Sequence, residues 1–260
     1  MARVSVTYQD HIAHVTLTRG DKMNALDDAM VEAIIKAGQE VADSDARAVV
    51  LSGEGKSFCA GLDVASFAKM GQADPTEWLM TRSHGDTNIM QELVMVWRRV
   101  PVPVVAALQG AVYGGGLQLA LGADIRIAGP DAKFSIMEMK WGLVPDLGGM
   151  VLLPHLVRSD VLRQLTYTAQ TIDATQAERW GLVTSLSDTP LAAAEALAAQ
   201  IASQSPSATR AAKRLIETAE SEARAEVLLA ESREQVALIG KADQMETIAA
   251  QMQGRPARYT

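Results

Sequence analysis

Residues 102–128 read VPVVAALQGAVYGGGLQLALGADIRIA, and this stretch decides the fold class. Val102–Leu108 is an apolar run of strand length. The triple Gly114-Gly115-Gly116 then opens the helical run Leu117–Leu121, and Ile125–Ala128 returns to an apolar strand. Apolar strands joined through a helix mark a parallel sheet with its faces covered, because both sides of each strand must be buried. The expected class is therefore α/β.

The same pattern extends outward. Val4–Tyr8 and Ala13–Thr18 alternate apolar and polar residues around Gln9-Asp10-His11, as a hairpin does. Asp27–Val41 carries Met30, Ile34, Ala37 and Val41 in helical register, and Ala48–Leu51 is a buried strand before the turn Ser52–Gly55. Asn88–Arg99 puts Met90, Leu93, Val94 and Trp97 on one helical face, until Pro101 and Pro103 stop it. Downstream, Met150–Val157 is another helical run. From Pro190 onward Ala, Glu, Gln and Arg dominate, and Thr209–Met252 reads as two or three amphipathic helices. The chain is thus expected to divide near Ser205-Pro206 into an α/β core, 1–205, and a helical segment, 206–260. The least patterned region is Ser66–Asn88. Its Phe67, Met70, Trp78, Leu79 and Met80 fit either a wall over an apolar ligand or a helix packed on the core.

Composition narrows the function classes. The 260 residues are 48% hydrophobic and 21% charged, enough for a substantial core. A net charge of -7 and 4% aromatics disfavour nucleic-acid binding, which needs Lys and Arg on phosphates and rings under bases. Cys59 is the single cysteine, so neither an intrachain disulfide nor a multi-thiolate zinc site can form. His11 and His14, three apart in the first strand region, make no ligand pair, and no metal is expected. No run approaches the roughly 18 apolar residues of a membrane span. The N-terminus lacks a basic head followed by an apolar stretch, so the expected compartment is the cytoplasm.

Phosphate-binding and nucleophile motifs fail on inspection. Gly55-Lys56-Ser57 lacks the first glycine of a phosphate loop, whose place is taken by Val50, and after Gly114 and Gly116 the third fingerprint position is Leu119. No G-x-S-x-G is present, and Cys59, between Phe58 and Ala60, reads as a small core residue. Two main-chain segments say more. Phe58–Asp63 offers small residues that admit a ligand to the backbone, and Gly114–Gly116 stands at a helix N-terminus, where unpaired N–H groups favour an anion. Each alone is equally a tight turn. Together they can supply two donors to a developing oxyanion, each worth roughly 2.7–4 kcal/mol of barrier.

These segments resemble the crotonase (enoyl-CoA hydratase/isomerase) superfamily. The resemblance is carried by Lys22–Leu26, Phe58–Asp63, Gln109–Gly116, Ala123–Ala128, Lys133-Phe134, Gly142–Pro145, Gly148-Gly149 and Ala177–Val183. It runs from the first hairpin to about Thr184 and continues in composition through the C-terminal helices. It implies a crotonase-like (ClpP/crotonase) spiral of β-β-α units with a C-terminal helical oligomerisation part, assembling a homotrimer or a hexamer made of two trimers. The implied substrate is a coenzyme A thioester, with no tightly bound cofactor. The N–H groups of Leu62 and Gly115 would form the oxyanion hole. Met23, Ala25, Ala60, Asp63 and Val64 would hold adenine and pantetheine through the main chain, Lys22 and Lys56 the phosphates, and Phe67 and Trp141 would help close the acyl pocket.

The carboxylates set the reaction. Family hydratases use two glutamates, and the matching positions here are Gln118 and Glu138; a glutamine cannot act as a carboxylate base. Family dienoyl-CoA isomerases place a glutamate and an aspartate at the positions of Glu138 and Asp146, and their third acid is missing here at Gln118. From the residues alone, Asp146 is also a possible cap for the helix that follows, and Glu138 a surface charge beside Lys140. In an apolar pocket lined by Met137, Met139 or Trp141, both acids would titrate near neutrality. The expected activity is double-bond isomerisation of an enoyl- or dienoyl-CoA by Glu138 and Asp146, with Gln118 supporting. A 2-enoyl-CoA hydratase is the alternative, and a noncatalytic acyl-CoA- or RNA-binding relative is the alternative from another class.

Overall fold

Alternation in the first residues produces the expected hairpin, β1 (Val4–Gln9) antiparallel to β2 (Ile12–Leu17). Asp10 and His11 turn it with φ of 49° and 63°, the left-handed pair that matches the twist of the flanking strands. His11 therefore sits in the turn rather than on a strand, while His14 lies on β2 with Nδ1 3.8 Å from Glu195. The computed structural model describes residues 2–63, 65 and 74–259, so Val64, Phe67 and Met70 lie outside the described residues.

Helix α1 (Asp28–Ala42) begins at Asp27, whose side chain accepts from the Met30 N–H, and it buries Met30, Ile34, Ala37 and Val41. Strand β3 (Ala48–Gly53) is buried throughout. Helix α2 (Pro75–Leu79) is followed by α3 (Ile89–Arg99), which opens with a capping box between Asn88 and Gln91. The decisive stretch resolves into β4 (Val104–Leu108), β5 (Ala111–Tyr113), α4 (Gly115–Leu121) and β6 (Ile125–Ala128). Beyond it lie β7 (Lys133–Ser135), a 3₁₀ turn (Glu138–Trp141), α5 (Gly149–Leu156) and α6 (Ser159–Thr168). The core closes with β8 (Ile172–Asp173), α7 (Ala174–Arg179), β9 (Ser185–Leu186) and α8 (Pro190–Ala202).

The strands form two sheets, ordered β1-β2-β3-β4-β6-β9 and β5-β7-β8. Every pairing in the large sheet after β1–β2 is parallel. Consecutive strands alternate between sheets, β4 and β6 in the large one and β5 and β7 in the small one. The chain thus winds as a spiral, and the α/β class expected from residues 102–128 is the one found.

Three helices follow: α9 (Pro206–Ser221), α10 (Arg224–Leu238) and α11 (Ala242–Gln253). The first is bound to the core through a buried cation. Lys213 Nζ donates to the carbonyls of Trp97 and Val102 at 3.1 and 3.0 Å and to Asp124 Oδ2 at 2.8 Å. Burial lowers the Lys213 pKa, against the opposing pull of Asp124. Lys213→Met leaves Asp124 without this partner, and breaking a buried pair costs roughly 3–5 kcal/mol. We expect the low end, about 3 kcal/mol, because Arg98 stays 3.7 Å from Asp124, and chemical denaturation measures it.

Candidate active site

Asn24 assembles the first wall. Buried and left-handed at φ 52°, it accepts from the Arg19 N–H and donates to the carbonyls of Glu54 and Ser57. This joins the loop after β2 to the segment after β3. That segment then runs beside β5 through a bridge between Cys59 and Val112. A Cβ at Gly61 (φ 90°) would stand 2.7 Å from the Tyr113 carbonyl oxygen, and one at Gly116 only 2.2 Å from that of Cys59. Glycine at both positions brings the N-terminus of α4 against the main chain of 59–62.

Two N–H groups meet there. The Leu26–Leu62 bridge uses the Leu26 N–H to Gly61 and the Asp63 N–H to Leu26, which turns the Leu62 N–H to the opposite side. Gly115 is the first residue of α4, where N–H groups have no intrahelical acceptor. The Leu62 nitrogen lies 3.9 Å from where a Gly115 Cβ would stand. Both residues line one cavity of about 490 Å³, so the structure brings together the two expected oxyanion donors.

Glu138 and Asp146 line the same cavity, with Trp78, Leu79, Met137, Trp141 and Val144 among its walls. Glu138, at the start of the 3₁₀ turn, is 8% exposed; its Oε1 accepts from Gln118 Nε2 at 2.7 Å and its Oε2 is buried without a partner. Burial raises its pKa most, the Gln118 hydrogen bond opposes this, and the charge of Asp146 adds to the rise. Asp146 is exposed where it lines the cavity, and the surrounding walls still raise its pKa by desolvation. It is no helix cap. The N-cap of α5 is Gly148, which makes no side-chain cap bond.

Other expected positions separate. Ala60 lines the cavity; Met139 does not. Gln118 is buried behind the wall, its Oε1 accepting from the N–H groups of Leu147 and Gly149. It therefore does not reach the space where a substrate water would sit. Asp63 pairs with Arg19 at 2.7 Å, and the Ala65 N–H, then Arg19, hold its carboxyl below the usual range. The carbonyls of Met23 and Ala25 accept from the Ala60 N–H and from Arg19. Lys22, at the end of a 3₁₀ turn (Gly20–Lys22), and Lys56, on the turn after β3, are exposed outside the cavity lining. Cys59 is a core residue whose thiol is pushed up to about 12 by burial. Met90, expected on the apolar face of its helix, Leu143 and Val144 of the Gly142–Pro145 segment, and Leu147, which the sequence did not single out, also line the cavity. Among the described residues, no cluster of His, Cys, Asp or Glu suits a metal ion.

Known proteins resemble this chain in sequence and fold. Residues 7–260 match the family model described as enoyl-CoA hydratase/isomerase. The mitochondrial Delta(3,5)-Delta(2,4)-dienoyl-CoA isomerase of Mus musculus is 35% identical over 79% of this chain, a match spanning 65% of the isomerase. A Mycobacterium leprae protein named "Probable enoyl-CoA hydratase echA8" is 33% identical over 95% of this chain and 93% of its own. Among solved structures, an enoyl-CoA hydratase from Polaromonas sp. JS666 superimposes with a TM-score of 0.90 at 27% identity, covering 99% of both chains. The family model, the shared fold and the paired N–H donors over an apolar cavity agree: this chain belongs to the enoyl-CoA hydratase/isomerase family of the crotonase superfamily.

Proposed function

We propose that the chain isomerises the double bond of an enoyl- or dienoyl-CoA through a thioester enolate. The thioester carbonyl lies between the Leu62 and Gly115 N–H groups, which take up the negative charge as it forms. Asp146, as the carboxylate, removes a proton from carbon, and the released electron pair runs through the conjugated system to the thioester oxygen. Glu138, as the acid, returns a proton at the other end, so the double bond moves and no atom is gained or lost. The roles follow from environment: burial first, with the Asp146 charge adding to it, raises the Glu138 pKa and favours the acid form at the more buried of the two groups.

The observation that carries this reading is the buried Oε2 of Glu138, an acid in an apolar cavity with no protein partner for that oxygen. Gln118 supports it from the negative side, since two-carboxylate water activation has no second carboxylate at that place. The same reading makes the chain a homotrimer or hexamer, for which the exposed Leu228, Leu229, Val236 and Ile239 on and just after α10 supply apolar surface.

A panel of enoyl- and dienoyl-CoA substrates followed by absorbance and mass tests the activity. The expected product has a shifted chromophore and unchanged mass. A product heavier by one water makes the chain a hydratase, and a bound but unchanged acyl-CoA makes it a noncatalytic binder; either result overturns isomerisation.

A further inference from the structure

The Gln118 side chain makes three contacts that leave no choice in its orientation. The N–H groups of Leu147 and Gly149 both donate to Oε1 at 3.0 Å, so the oxygen must face them and the amide nitrogen must face Glu138. A flipped amide would set N–H against N–H and oxygen against carboxylate. Nε2 consequently donates to Glu138 Oε1 at 2.7 Å. In a neutral carboxyl the carbonyl oxygen is the stronger acceptor, so the donor at Oε1 favours the tautomer of Glu138 with its hydrogen on Oε2. That is the oxygen without a protein partner.

Gln118 also lies one turn beyond Gly115 on α4, the helix whose first N–H is the proposed oxyanion donor. Through Leu147 and Gly149 it holds both flanks of Gly148 and the residue next to Asp146. One side chain thus ties the oxyanion helix, the acid at 138 and the loop bearing the acid at 146. We infer that Gln118 is a positioning residue: it directs the transferable proton of Glu138 to Oε2 and fixes the Asp146 loop to the oxyanion helix. The inference rests on the proposed proton transfer for its purpose, but its geometry can be measured without turnover.

Gln118→Glu isolates the donor. A glutamate there can still accept from Leu147 and Gly149, but it sets a second carboxyl against Glu138 in place of an N–H. Gln118→Met removes donor and acceptor without adding charge. The ionisable neighbours of Glu138 are few. Asp146 bears on it from the loop, Lys140 on its own turn is exposed, and α4 carries none. Arg163 on α6 bonds outward to Ser159 and Tyr167, and His155 on α5 lines a different cavity.

The test is ¹³C NMR titration of glutamate carboxyls in the folded, ligand-free protein, with the Glu138 signal assigned from Glu138→Gln. Two carboxyls at hydrogen-bond distance share a proton, so Gln118→Glu should raise the midpoint of the pair by one pH unit or more, a tenfold or larger change in proton affinity. Gln118→Met should raise it by less, and should lower kcat by up to about 100-fold through misplacement of the acid, with a smaller change in KM. Wild-type midpoints in both variants would overturn the inference. If the midpoints move as expected but no acyl-CoA is isomerised, the proposed function fails while the placement of the proton stands.

Discussion

Glu138→Gln is expected to lower kcat/KM for an isomerised acyl-CoA by about 10²–10⁴-fold, the range that a positioned general acid supplies. The substitution keeps the side-chain volume and leaves an amide oxygen to accept from Gln118 Nε2, so the wall of the cavity should persist. What it removes is the transferable proton. Circular dichroism and acyl-CoA binding should be close to wild type while steady-state turnover collapses. A variant that retains wild-type turnover would take Glu138 out of the reaction.

The second large effect is expected of Asp146→Asn, again about 10²–10⁴-fold in kcat/KM. Stability should stay within about 0.5 kcal/mol, because Gly148 rather than Asp146 caps α5. A helix-cap role would instead cost typically ~1 kcal/mol and leave chemistry intact. This variant should also lower the Glu138 midpoint, because the Asp146 charge is one of the causes raising it. Both acids titrate above the ordinary carboxylate range. As pH falls through the Asp146 pKa, the base is protonated and the rate drops. As pH rises through the Glu138 pKa, the acid is lost and the rate drops again. The wild-type kcat/KM profile should therefore be a bell, and each single variant should lose the limb belonging to its own acid.

Residues 102–128 announced the parallel core because continuous apolar strands admit few other packings. The helix ends at Asp27 and Asn88 were legible for a similar reason, since a short polar side chain before a helical run has a local task. The site was legible where main-chain geometry demands glycine, at Gly61 and Gly114–Gly116. Beyond that, local pattern is silent. Gln118 acquires its task from the N–H groups of Leu147 and Gly149, which carry no side-chain signature. Leu143 and Val144 belong to a segment that carries the resemblance, but that they and Leu147 line a cavity appears only once the fold sets them beside it. Asp146 is ambiguous in one dimension because cap and catalyst are both acids ahead of a helix. Only the backbone at Gly148 separates the two. Lys213 reads as one more charge on an amphipathic helix, and its burial depends on carbonyls about 110 residues upstream.

Mass spectrometry of the product formed in D₂O tests the central claim most directly. Glu138 exchanges its proton with solvent before it protonates the enolate, so the product should keep the substrate's formula and carry one deuterium on carbon. That incorporation should vanish in Glu138→Gln. A product enlarged by a molecule of solvent water, or one isomerised with no deuterium at all, would contradict a proton-transfer pair working on a thioester enolate.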